Sequence, residues 1–171
     1  SGYFKTQVVK GRIPLSGPLA VVNADMLIED PVFANWLRGF APFDAITMWF
    51  MGVHKGRSMT ATSESLGIKS DKDNREALEK RQIAMASSLL RPGGILQLVN
   101  RVVSTDIDIY REILLEQEKA KLVESPFDLI SLTPYEYIEQ RGVGSIRVSQ
   151  PGVNVDDLPL YAMSTLASKQ S

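Results

Sequence analysis

The sequence predicts an α/β domain with a mainly parallel sheet. Three observations predict it. Short apolar runs of strand length recur at Leu19–Asn23, Phe43–Trp49, Ile95–Val99 and Phe127–Leu132. Stretches with helical spacing lie between them, and Gly and Pro punctuate the changes from one kind to the other. The Ile95–Val99 run is almost wholly apolar, the pattern of a strand covered on both faces.

Taken in order, residues 1–18 read as a lead-in with a short extended piece from Gln7 to Val9, broken by Gly11, Pro14, Gly17 and Pro18. Leu19–Asn23 reads as a buried parallel strand. Asp30 can cap a short helix to about Arg38, with Pro31 at the first helical position and Gly39 and Pro42 closing it. Phe43–Trp49 is the next strand. Residues 55–72 are rich in Gly, Ser, Thr and Lys and read as a long loop. A helix is expected from Asp73 to Leu90, with Asp73 and Glu76 as a capping box and Ala77, Leu78, Ala84, Met85, Ser88 and Leu89 on its apolar face.

Pro92-Gly93-Gly94 then turns the chain into the Ile95–Val99 strand. Thr105 or Asp106 caps a helix to about Val123. Its apolar face is Ile107, Tyr110, Ile113 and Leu114, and Glu112, Glu116, Glu118 and Lys119 form its wet side. Phe127–Leu132 is a strand, Thr133-Pro134 starts a short helix, and a last strand runs from Ser145 to Ser149. Residues 150–171 read as a loop or frayed tail. The domain boundaries are therefore 1–18, 19–149 and 150–171, with the last two strands antiparallel at one edge.

At 171 residues the chain suits one domain, and 44% hydrophobic with 23% charged residues is an ordinary globular profile. A formal net charge of −1 gives no electrostatic case for nucleic acid or an anionic membrane. The absence of cysteine excludes disulfides and thiolate metal sites. A lone histidine and no spaced carboxylate cluster predict no metal site. No apolar run reaches the ~18 residues of a membrane span, and no signal peptide is visible, so a cytoplasmic location is the default expectation. A Walker-type loop and a Gly-x-Ser-x-Gly elbow are both missing.

The series Phe43–Trp49, spacer helix, Leu89-Leu90-Arg91-Pro92-Gly93-Gly94 and Ile95–Val99 resembles the second half of a class I S-adenosylmethionine-dependent methyltransferase. The resemblance covers roughly residues 19–149 and implies a Rossmann-like sheet of order 3-2-1-4-5-7-6. It implies S-adenosylmethionine as cofactor and a small-molecule or macromolecular methyl acceptor. Asp25 would accept a hydrogen bond from the adenine amino group, and Met26 would pack on the ring. The plainer alternative makes Asp25 a turn residue and Met26 core. Met48, Trp49 and Phe50, with Met51, would face the methionine part of the cofactor, where aromatic walls suit a sulfonium. His54 would take a proton from the acceptor. Its alternative is a solvated loop histidine.

The sequence departs from the family in one respect. The first two strands, with the Gly-x-Gly loop and the acidic residue for the ribose, would precede Leu19, and nothing in residues 1–18 fits them. Gly142-x-Gly144 precedes a strand rather than following one. The Phe43–Trp49 strand is therefore expected at a sheet edge. It would be closed by re-pairing with the Leu19 strand, by a second copy in a homodimer, or by a partner chain that supplies the missing strands. A non-catalytic binding or dimerisation module is the alternative to an enzyme.

Overall fold

The computed structural model describes residues 5–9, 19–23, 26–28, 30–49, 60–138 and 158–171. It is α/β. The elements run β1 (Lys5–Val9), β2 (Leu19–Asn23), α1 (Pro31–Arg38), β3 (Phe43–Trp49), α2 (Ala61–Ser65), α3 (Asp71–Leu89), β4 (Leu90–Val103), α4 (Ile107–Leu122), β5 (Phe127–Glu136) and β6 (Leu160–Lys169). Two compact units share them. Residues 1–41 and 53–82 form the first, and 42–52 with 83–171 the second, so α3 starts in one and ends in the other.

In the first unit β1 and β2 pair antiparallel as a sheet of their own, from Lys5 opposite Asn23 to Val9 opposite Leu19. The expected parallel strand at Leu19 is thus corrected: its partner is the lead-in segment. Helix α1 forms as its sequence requires. Asp30 Oδ1 accepts from the amides of Val32 at 2.9 Å and Phe33 at 3.1 Å, and Pro31 follows the cap. Phe33 stacks on Trp36 with centroids 6.1 Å apart, and Trp36 meets Phe40 edge-on at 5.0 Å.

The long loop expected over 55–72 contains α2, capped by Thr60. Gly67, at φ +70°, ends it: its amide donates to Glu64 O, and Ile68 N donates to Ser63 O. Leu27, Ile68 and Leu78 make a small core with Met26 and Ala77 against it.

Helix α3 begins two residues before the expected start. Ser70, not Asp73, is the capping hydroxyl. Its Oγ accepts from Asp73 N at 3.1 Å, while Asp73 Oδ2 accepts from Lys69 N at 3.1 Å. The buried face is also shifted, to Asn74, Leu78, Gln82, Ala86 and Leu89, leaving Ala84 and Ser88 exposed. Two amides on that face hide it from a reading by hydrophobicity.

The second unit is built on a four-stranded sheet of order β3-β4-β6-β5. β3 and β4 are parallel; β6 is antiparallel to both β4 and β5. This corrects two expectations. The sheet is mixed rather than mainly parallel, and its antiparallel strand is interior rather than at the edge. The segment 160–169, expected as tail, is that interior strand. Nor does a helix start at Pro134: β5 runs on to Glu136. Proline is admissible there because, among the described residues, β5 is the outermost strand on its side of the sheet, where a missing N–H costs the ladder little. The expected strand Ser145–Ser149 lies outside the described residues.

Helices α3 and α4 both contribute to the main core, with Ala86 from one and Leu122 from the other meeting Met48, Leu96, Leu98, Phe127 and Ala167 of the sheet. Farther along, Ile107, Tyr110, Leu114 and Leu115 of α4 pack on Val102, Leu132 and Met163. Asp106 caps α4 as expected, accepting from Ile109 N at 3.1 Å. The expected faces of α4 need two corrections: Ile113 is exposed and Glu118 is buried.

Candidate site at the carboxyl edge of the sheet

Ligands of open α/β sheets bind beyond the carboxyl ends of parallel strands. Since β4 and β5 are each antiparallel to β6, both run in the direction of β3, and three carboxyl ends lie along one sheet edge. β3 ends at Trp49, opposite Val99. β4 continues past this level through Asn100, Arg101, Val102 and Val103. Arg101 is level with Ala162 of β6, which is level with Tyr135 of β5. Among the described residues β3 reaches Trp49, and Asn100 and Arg101 of β4 lie beyond that level.

The entry to β4 fixes this register. Phe43 pairs with Leu90, whereas Ala45 pairs with Ile95, so Asp44 faces the whole Arg91–Gly94 stretch. Rather than a turn outside the strand, Pro92-Gly93-Gly94 is a bulge inside it. Arg91 Nε donates to Asp44 Oδ1 at 2.7 Å across the bulge. Gly93 sits at φ +71°. Gly94 is needed for closeness: a Cβ there would stand 2.8 Å from Arg91 O and 3.3 Å from Asp44 O.

The sequence candidates fall as follows. Trp49 is 58% exposed at the end of β3. Its neighbour Met48 is 8% exposed and belongs to the main core. Met26 is half-buried against Leu27, Ile68 and Leu78 in the first unit. Asp25, Phe50, Met51 and His54 lie outside the described residues. Row-mates of Trp49 across the sheet are Val99, Ser164 and Thr133, and Gln97 Nε2 donates to Ser164 Oγ at 3.1 Å. Asn100, Arg101 and Tyr135 were not among the candidates. Only the strand order brings Tyr135 level with Arg101; the sole sequence signal was the polar pair ending the Ile95–Val99 run.

Chemically, this edge offers an exposed indole, an amide, a guanidinium and a phenol. Among the described residues no group of three His, Asp or Glu side chains could hold a metal ion. No described helix is long and apolar enough to cross a membrane. No protein family, curated protein or solved structure matches the chain.

Proposed function

We propose that this chain is the second half of a class I methyltransferase fold, serving methyl transfer from S-adenosylmethionine at the carboxyl edge of its four-stranded sheet. The observation that carries this reading is the strand order. The last strand in sequence enters between its two predecessors, giving β3-β4-β6-β5. The family's order 3-2-1-4-5-7-6 ends with the same permutation. The bulged Leu89–Gly94 entry into the strand parallel to β3 adds to it.

The cofactor supplies an electrophilic methyl on a sulfonium, transferred by in-line displacement to a nucleophilic acceptor. The chain's part is to bind, orient and exclude water. The ring of Trp49, a residue 58% exposed, suits a cation, since an aromatic ring attracts one through its quadrupole. The side chain of Met48 is committed to the core beneath. Met26 packs on Leu27, Ile68 and Leu78 in the first unit; the adenine role of Asp25 and the proton-accepting role of His54 rest on the resemblance alone. Cytoplasm is the compartment we assign to this activity.

A specific observation supports a second reading, a non-catalytic binding or dimerisation module. Among the described residues β3 has one strand neighbour, β4. Titration calorimetry with S-adenosylhomocysteine separates the two. Heat of binding, weakened by Asp25→Ala, is the result expected of the first. No detectable heat, with a dimer in sedimentation, overturns it in favour of the second.

A further inference from the structure

We draw no further inference here: the strongest candidate, the side of β3 that pairs with no other strand among the described residues, ending at Trp49, belongs to the readings already proposed, and nothing in the structure shows whether a second copy or another polypeptide covers it.

Discussion

The hydroxyl of Thr165 donates to Glu118 Oε2 at 3.2 Å, tying the middle of β6 to α4. Glu118 is only 6% exposed, and Lys121 Nζ donates to its other oxygen at 2.7 Å. A buried carboxylate is tolerated only while its lone pairs are met. Thr165→Val keeps the shape and removes one donor, so it is expected to destabilise by about 1–2 kcal/mol. Glu118→Ala should cost more, and the double variant less than the sum of the two, because they share one interaction. Urea unfolding of the four proteins checks this; strict additivity would show that the pair is not coupled.

Lys169 closes the other end of β6. Its Nζ donates to Ser87 O at 2.6 Å and Leu90 O at 2.7 Å, so a cation sits on carbonyls where α3 passes into β4. Charge and hydrogen bonding act in the same direction there. Lys169→Met should lower stability by about 2 kcal/mol, the scale of charge-assisted hydrogen bonds. Hydrogen exchange should speed up first in the last turn of α3. Uniform acceleration over the whole domain would instead indicate a general packing defect.

Gly93 and Gly94 are adjacent but differ in what they require. An alanine at Gly93 meets nothing nearer than Arg91 Nη1 at 3.8 Å, so its cost is the positive φ alone, about 1 kcal/mol. One at Gly94 is driven into backbone on two sides. Gly94→Ala is therefore expected to cost more, beyond ~2 kcal/mol, by disturbing the Asp44–Arg91 crossing. Paired thermal melts rank them; the reverse order would contradict the bulge geometry.

Asp73 titrates below the usual carboxylate range. The Ser70 hydrogen bond is the main cause, followed by the Lys69 amide. A depressed folded-state pKa means its support of α3 is complete above the ordinary Asp value, about 3.9. That support is lost as pH falls through the lower folded value. The Asp73 carboxyl resonance should thus titrate low in the native protein and move up in Ser70→Ala. Asp73→Asn should flatten the acid limb of the stability curve. An unmoved resonance in Ser70→Ala would remove Ser70 as the cause.

Legibility in the sequence followed how local the determining physics was. Asp30 and Asp106 were readable as caps because a cap acts within three residues. Phe43–Trp49 was readable as a strand from its composition. β6 was not, because Ser164, Thr165 and Ser168 look like tail. Two of those hydroxyls are made acceptable in an interior strand by partners distant in sequence, Gln97 and Glu118. Asn74 and Gln82 misled in the same way, as polar residues on the face that α3 buries. Of the expected site residues that are described, Trp49 is exposed at the end of β3, while Met48 lies in the core and Met26 is half-buried. That Arg101 and Tyr135 are level depends on strand order, which no short stretch encodes.

Trp49 offers a direct readout of the proposed site. The chain has two tryptophans. Trp36 lies half-buried between Phe33 and Phe40, whereas Trp49 is mostly exposed. A cofactor seated at the end of β3 should cover the exposed indole and change its emission. The Trp36→Phe protein is expected to keep that response to S-adenosylhomocysteine and the Trp49→Phe protein to lose it. Because Trp49→Phe keeps an aromatic ring at this strand position, it should leave the melting temperature almost unchanged. Loss of binding without loss of stability would place Trp49 at the ligand. An equal response from both variants would place the ligand elsewhere, and a collapse in stability would make Trp49 structural.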